Sequence, residues 1–161
     1  MGKEAKTNAM RLLEKNKVEY RPYTYECTEF TDGVDLANRL GLPHQLVYKT
    51  LVTVGKSKEH YVFVIPIEAE LDLKKAAKAA GEKSIEMLPL KELTPLTGYV
   101  RGGCTCIGMK KQFPTILDHS AEQLEKMVVS GGRLGLQLEL APADLIRVAR
   151  ARTADVTAGN E

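Results

Sequence analysis

A single lysine interrupts the most apolar stretch of the sequence, residues 46–54. If the stretch is a β-strand, Lys49 shares a face with Val47 and Leu51, since side chains alternate across a strand. An isolated buried ammonium is costly, so the amine must reach solvent, meet a partner or face a cavity. Periodicity by itself favours a strand-end lysine that reaches solvent. The alternative is a pocket that receives an anionic or strongly polar ligand.

Two glycine-rich segments could present backbone N–H groups to such a ligand. Residues 98–111 contain four glycines and end in Lys110-Lys111, and Ser130-Gly131-Gly132 forms a second turn. Glycine permits close approach of the backbone, and loops of this kind can hold an anion through their N–H groups. The spacing fits neither a Walker loop nor a dinucleotide fingerprint. A purely structural turn is an equally good interpretation of the first segment.

The familiar catalytic constellations are missing from the sequence. Its three histidines are isolated, and there is no G-x-S-x-G nucleophile elbow. Cys104-x-Cys106 could chelate a metal or form a redox pair, but without companion ligands two small loop side chains are the simpler account. An enzyme of this composition would lack a side-chain nucleophile. The groups that remain for catalysis are the positive charge of a lysine and backbone N–H groups that can stabilise a developing oxyanion.

The elements that must position these groups follow from hydrophobic spacing. Strands are predicted over residues 18–25, 46–54, 61–67, 85–88, 115–118, 128–130 and 134–140, and helices over residues 3–15, 30–42, 73–80 and from 142, with short helical turns near 91–93 and after 120. Residues 46–54 and 61–67 should pair as a buried hairpin, which weakens the solvent-exposed interpretation of Lys49. This predicts an α+β fold: one domain, residues 1–161, with a mixed, barrel-like sheet of about seven strands flanked by helices.

Local signals refine these boundaries. Asp32, Asp72 and Ser120 are candidate helix caps, and Gly41 and Gly81 are candidate terminators. Pro22 should confine its strand to an edge or a bend. Leucines at every second position from 134 to 140 predict a half-buried strand. The tail after Arg152 is expected to fray.

Composition limits the classes of function. The chain has 161 residues and a net charge of +2, which argues against a broad basic surface for nucleic acid but allows contact with a short stretch. Three cysteines and no leader-like or long apolar segment predict a reduced, cytoplasmic protein that does not enter a membrane. No cofactor is predicted.

At these residues the chain resembles the bacterial YbaK family of free-standing Cys-tRNA(Pro) deacylases, which is related to the editing domain inserted in bacterial prolyl-tRNA synthetases. The ordered matches run from about residue 5 to 156. They are Leu40-Gly41-Leu42, Lys49-Thr50-Leu51, Asp72-Leu73-Lys74-Lys75-Ala76-Ala77, Gly98-Tyr99, Gly102-Gly103, Gly108 with Lys110-Lys111, Ser130-Gly131-Gly132, and Glu139-Leu140-Ala141-Pro142 followed by Asp144-Leu145.

The resemblance implies an enzyme that removes cysteine mischarged on tRNA(Pro), with Cys-tRNA(Cys) as a second substrate. In the family's proposed mechanism the substrate thiol attacks its own ester and leaves as a cyclic thiolactone, a lyase-type reaction without a protein nucleophile. Lys49 matches the essential lysine of the family. The implied pocket wall comprises Tyr25, Phe30, Thr50, Gly102, Gly103, Ser130 and Gly131. The implied partners are the aminoacyl-tRNA 3′ end and prolyl-tRNA synthetase.

Two departures leave the preferred amino acid open. Cys106 stands where many relatives have proline, and Gln137 stands near an acidic position of many relatives. Alanine is therefore an alternative target. A non-catalytic module that binds aminoacyl-tRNA or a synthetase, and a redox or metal protein using Cys104 and Cys106, are the other hypotheses.

Overall fold

The structure is a computed structural model that describes residues 6–26 and 33–158. The helices there are α1 Asn8–Lys15, α2 Gly33–Leu40, α3 Leu73–Ala80, α4 Leu93–Thr97 and α5 Pro142–Ala149, with short 3₁₀ turns at His44–Leu46, Leu90–Glu92 and His119–Gln123. The strands are β1 Arg21–Thr24, β2 Tyr48–Gly55, β3 His60–Pro66, β4 Ile85–Met87, β5 Thr115–Asp118, β6 Met127–Ser130, β7 Leu136–Leu140 and β8 Ala151–Ala154. The predicted α+β class is confirmed.

The strands form two sheets. One has the order β1-β7-β6, and the other has the order β4-β2-β3-β5-β8. A parallel bridge between Val47 and Val128 joins them where β2 begins. The barrel-like arrangement is therefore two sheets in contact, not a closed barrel.

The predicted central hairpin is present. Strands β2 and β3 pair antiparallel from Tyr48–Pro66 to Val54–His60, with Lys49 opposite Ile65. Val62 and Val64 of β3 enter one hydrophobic cluster, and Phe63 and Ile65 enter another on the opposite face. Strand β3 is thus covered on both sides, as its continuous apolar run predicts.

The larger hydrophobic cluster fills the space between the two sheets. It joins Val62 and Val64 to Leu136 and Leu138 of β7, and Leu13 of α1 packs into the same cluster. All five side chains are fully buried. Burial of apolar side chains of this size stabilises a fold by roughly 1.5–3 kcal/mol each, so this cluster fixes how the sheets face each other.

Several predicted boundaries are confirmed. The Asp72 carboxylate caps α3 by accepting N–H bonds from Lys74 and Lys75, both at 3.0 Å, and Gly81 ends that helix with a φ of 77°. Strand β1, which contains Pro22, lies at a sheet edge. The proposed cap Asp32 lies outside the described residues. The predicted capping role of Ser120 is wrong, since the Asp118 side chain accepts from the Ser120 N–H.

The predicted fraying of the tail after Arg152 is wrong for residues 153–158, the part of the tail that the structure describes. Residues Ala151–Ala154 form β8 and pair in parallel with β5. Val156 is fully buried against Phe63 and Ile116, and Leu71 bridges to Thr157. The sequence gives little signal here because the strand is short and its partner lies more than 30 residues away. Residues 6–26 and 33–158 therefore contain eight strands, one more than the prediction of about seven.

No helix in the two described ranges combines the length and the apolar character needed to cross a membrane.

Candidate functional site

A pocket of about 330 Å³ opens beside the first residues of β2, close to the bridge that joins the sheets. Elements from both sheets and the glycine loop form its wall. The lining residues are Gly33, Leu36, Val47, Tyr48, Lys49, Thr50, Leu51, Ile67, Leu93, Arg101, Gly102, Cys104, Ser130 and Gln137. The pocket therefore gathers four residues of the predicted site: Lys49, Thr50, Gly102 and Ser130.

Lys49 is half-buried and lies in the wall of this pocket. Arg101, from the glycine loop, is the second cation of the wall. No aspartate or glutamate is among the described residues that line it. Lys49 and Arg101 thus place two cationic side chains in the wall of one cavity, which suits an anionic or strongly polar ligand.

Two buried hydroxyls in the wall have no hydrogen-bond partner among the described residues. They are Thr50 Oγ1 in β2 and Ser130 Oγ at the end of β6. Buried polar groups are nearly always hydrogen-bonded, because an unsatisfied hydroxyl costs roughly 1–3 kcal/mol. Two such groups in one pocket indicate a site prepared for the polar atoms of a ligand.

Gln137 adds a polar side chain that the sequence pattern places elsewhere. The alternating leucines predict a half-buried strand, yet Gln137 is only 3% exposed. It pairs with Ser130 across β6 and β7, and β7 is the middle strand of its sheet. The alternation of β7 predicts that the Gln137 side chain points to solvent, but in the structure it faces the pocket. Its place in the pocket wall follows from the packing of the sheets and not from the sequence pattern.

The glycine loop reaches the pocket through Arg101, Gly102 and Cys104. Gly102 has a φ of 87°, a conformation that favours glycine. Gly103 is buried behind the wall, where an added Cβ would lie 2.8 Å from the backbone of Arg133. The Tyr99 hydroxyl donates to the Ile107 carbonyl at 2.7 Å and closes the loop from inside. The loop is thus a packed part of the fold that presents a short edge to the pocket.

Cys104 and Cys106 are free and buried. Burial raises the pKa of each thiol to about 12. Both are therefore neutral thiols near pH 7, which is unsuited to a nucleophile. This favours the simpler account of the pair as small loop side chains.

Three of the predicted site residues are described but do not line the pocket: Tyr25, Gly103 and Gly131. The Gly131 N–H donates to the Leu136 carbonyl at 2.9 Å, so it is used within its own hairpin. The Tyr25 N–H donates to the Gly135 carbonyl at 3.0 Å, and its side chain is partly exposed. Phe30 lies outside the described residues.

Two other features invite comparison with this pocket. A cavity of about 600 Å³ along β1 is larger, but three glutamates, at 14, 19 and 139, line it, and it contains none of the predicted site residues. Asp118, His119 and Asp155 each offer one potential metal-ligand atom, and these three atoms lie within 4.8 Å of one another. However, the Asp118 oxygens accept N–H bonds from Ser120 and Val156, both at 3.2 Å, which gives this carboxylate a structural role.

The sequence also matches a known protein family. Residues 29–148 match the sequence profile of the aminoacyl-tRNA editing domain, which covers most of the chain. The chain belongs to this family, and the resemblance to the YbaK group is confirmed.

Individual relatives narrow the comparison. The chain is 47% identical over 155 residues to the Enterococcus faecalis (strain ATCC 700802 / V583) protein named "Putative Cys-tRNA(Pro)/Cys-tRNA(Cys) deacylase EbsC", covering 96% of this chain and 94% of that protein. A crystal structure of "a putative trans-editing enzyme for prolyl tRNA synthetase" superposes with a TM-score of 0.81 at 23% identity, over 97% of this chain and all of that one. The crystal structure of the hypothetical protein APE2540 superposes with a TM-score of 0.86 at 23% identity, over 94% of this chain and 99% of that one. These two structures share the fold.

Proposed function

We propose that this protein is a trans-editing aminoacyl-tRNA deacylase that removes cysteine from mischarged tRNA(Pro), with Cys-tRNA(Cys) as a second substrate. One observation carries the proposal. The pocket holds Lys49 together with two buried hydroxyls, Thr50 Oγ1 and Ser130 Oγ, that have no partner in the described part of the chain. Membership of the editing family and the 47% identity to a protein named for this activity support it.

The groups of the pocket suit a reaction in which the substrate supplies the nucleophile. The cysteine sulfur would attack its own ester carbonyl, forming an S–C bond while the ester C–O bond to the ribose breaks. The proton of the thiol ends on the released ribose hydroxyl. Lys49 would stabilise the negative charge that develops on the carbonyl oxygen, and the two hydroxyls would hold the aminoacyl group in the attacking geometry.

The neutral state of Cys104 agrees with this division of labour. Its side chain lines the pocket, but burial raises its pKa to about 12, so it carries no thiolate at neutral pH. The pocket wall in the described ranges contains no histidine that could activate it. The protein would contribute position and charge, and the reactive sulfur would come with the substrate.

We further propose that residues 1–161 act as one editing domain and that prolyl-tRNA synthetase delivers the charged tRNA. The site around the bound substrate would be supported or completed by Tyr25, Phe30, Gly103 and Gly131. The hydrophobic core shared by both sheets supports the proposal of a single domain. The similarity in fold to a structure described as a trans-editing enzyme motivates the proposed role of the synthetase.

The test is deacylation of Cys-tRNA(Pro), Cys-tRNA(Cys), Ala-tRNA(Pro) and Pro-tRNA(Pro) by the wild type and by Lys49→Ala. The wild type should release cysteine, and loss of the Lys49 charge should lower kcat/KM by roughly 100- to 1,000-fold. Cysteine release no faster than in buffer, or full activity in Lys49→Ala, would reject the proposal. Release of alanine alone would reassign the substrate, and tRNA binding without release would favour a non-catalytic module.

A further inference from the structure

An apolar groove continues from the wall of the pocket onto the surface. Its volume is about 350 Å³, and it shares Thr50, Leu51, Leu93 and Arg101 with the pocket. The remaining wall comes from Val52 of β2 and from residues 87–90, which run from the end of β4 into the 3₁₀ turn that follows it. Its lining residues are Thr50, Leu51, Val52, Met87, Leu88, Leu90, Leu93 and Arg101.

The groove exposes apolar surface that the fold does not cover. Leu90 is 57% exposed and Met87 is 45% exposed, and both stand in its wall. Large apolar side chains that remain accessible beside a polar pocket are typical of a binding surface. Here they adjoin Lys49 through the shared wall residues.

The charge of the groove restricts the kind of ligand. Arg101 is its cation and lines the pocket as well, while no described aspartate or glutamate lines either cavity. The chain as a whole carries 21 acidic residues. A ligand with a flat apolar part and a negative part fits this composition, whereas a basic peptide does not.

The position of the groove identifies the occupant. An aminoacyl ester held at Lys49 is attached to the ribose of the terminal nucleotide of tRNA, so that nucleotide must lie directly outside the pocket. Single-stranded RNA ends are recognised by bases that lie against apolar side chains and by cations at the phosphates. The volume lies near the lower limit of small-ligand sites, roughly 300–1,000 Å³, which suits one nucleotide better than a peptide helix.

We propose that this groove is the subsite for the terminal adenosine of the aminoacyl-tRNA, with the base against Met87 and Leu90 and a phosphate near Arg101. The assignment rests on the proposed function, because the aminoacyl group must occupy the Lys49 pocket for its nucleotide to reach the groove. Met87 and Leu90 would then determine affinity for the RNA part of the substrate, and Lys49 the reaction of the ester.

The first test compares Leu90→Ala and Met87→Ala with Leu73→Ala. Leu73 is the matched control, because it is 42% exposed on α3 and lines neither cavity. The groove variants should lower kcat/KM for Cys-tRNA(Pro) by roughly 5- to 10-fold each, mainly through KM, in proportion to the apolar contact removed. Leu73→Ala should match the wild type. Equal values in all four proteins would overturn the subsite.

The second test reads binding without catalysis, which separates failure of the subsite from failure of the proposed function. Adenosine 5′-monophosphate is titrated into the protein while the methyl signals of Met87, Leu90 and Leu73 are followed by NMR. The signals of Met87 and Leu90 should shift with a saturable dependence, and that of Leu73 should not. No shift at the groove overturns the subsite even in an active deacylase. Shifts at the groove in a protein that releases no cysteine would retain nucleotide binding and reject the deacylase.

Discussion

At the scale of single residues, the site is defined by polar groups that the fold leaves unsatisfied. Thr50 Oγ1 and Ser130 Oγ are buried without partners in the described structure. Both hydroxyls come at a cost to stability, since each gives up hydration and gains no hydrogen bond within the protein. A cost of this kind is expected where a substrate supplies the missing partner, as stability is commonly lost in favour of function at such positions.

This predicts opposite effects on stability and activity for Thr50→Val and Ser130→Ala. The free energy of unfolding should stay constant or rise by about 1 kcal/mol, because an unsatisfied hydroxyl is removed. At the same time kcat/KM for Cys-tRNA(Pro) should fall roughly 3- to 10-fold for each lost hydrogen bond to the substrate. Urea denaturation and deacylation assays measure the two quantities.

Thr53→Val is the matched control, on the same strand. The Thr53 hydroxyl is buried but donates to the Tyr61 carbonyl at 2.9 Å. Its removal should destabilise the protein by about 1 kcal/mol and leave kcat/KM unchanged. If Thr50→Val behaves like Thr53→Val in both assays, the Thr50 hydroxyl has a structural role and no function in binding.

At the scale of elements, the glycine loop of residues 98–111 has two tasks. It presents Gly102, Arg101 and Cys104 to the pocket. It also inserts Ile107 and the neutral side chain of Cys106 into the core. The glycines allow the chain to turn and approach other backbone, as Gly103 does at Arg133. Because the thiols of Cys104 and Cys106 are buried, the packing of this loop is expected to be sensitive to alkaline pH.

The direction of that sensitivity follows from the raised thiol pKa values. The thiols of Cys104 and Cys106 have pKa values of about 12 in the folded protein, against 9.0 without the fold. Above pH 9 the unfolded chain loses these protons first, so the folded state binds more protons and stability falls as the pH rises towards 12. Below pH 9 the thiols are protonated in both the folded and the unfolded state, so their full contribution to stability is present. The slope should be at most about 1.4 kcal/mol per pH unit for each thiol.

The measurement is urea denaturation between pH 8 and pH 10.5 for the wild type and for Cys104→Ala/Cys106→Ala. The double variant should be less stable at pH 8 because it loses buried volume, but its stability should fall less steeply with pH. Tyr99 is present in both proteins, and its pKa is raised first by burial and then by the neighbouring Cys104 and Cys106, so only the burial part of its contribution cancels in the comparison. Parallel slopes would show that the two thiols do not contribute.

At the scale of the whole molecule, the distribution of charge favours delivery of the substrate by a partner. The net charge of the chain is only +2. Phosphate contacts with lysine and arginine supply most of the affinity of a protein for RNA, so few contacts give weak and salt-sensitive binding. The cations that the structure places at the site, Lys49 and Arg101, would act on the end of the tRNA and not along its stem.

We therefore predict that prolyl-tRNA synthetase lowers the protein concentration needed for half-maximal deacylation of Cys-tRNA(Pro). A synthetase that does not recognise this tRNA is the control and should have no effect. Binding of free tRNA should be weak and should weaken further as salt is added. Tight binding of free tRNA that is insensitive to salt would contradict the prediction.

Much of this architecture follows from the sequence by local physical rules. The apolar runs of β2 and β3 and the polar turn between them determine the hairpin. Asp72 and Gly81 fix the ends of α3, because a cap and a left-handed terminator act within a few residues. The isolated position of Lys49 in an apolar strand, together with the predicted burial of the neighbouring hairpin, likewise makes it a candidate functional charge from sequence.

The tertiary structure decided what depends on distant pairing. It placed Gln137 in the pocket wall, because the neighbours of β7 and not its own alternation determine which face is covered. It ordered β8 and Val156, whose partners β5 and α3 are remote in the chain. In the part of the chain that the structure describes, it also left the hydroxyls of Thr50 and Ser130 without hydrogen-bond partners in one pocket. Satisfaction of a buried hydroxyl depends on every element around it, and no local pattern contains that information.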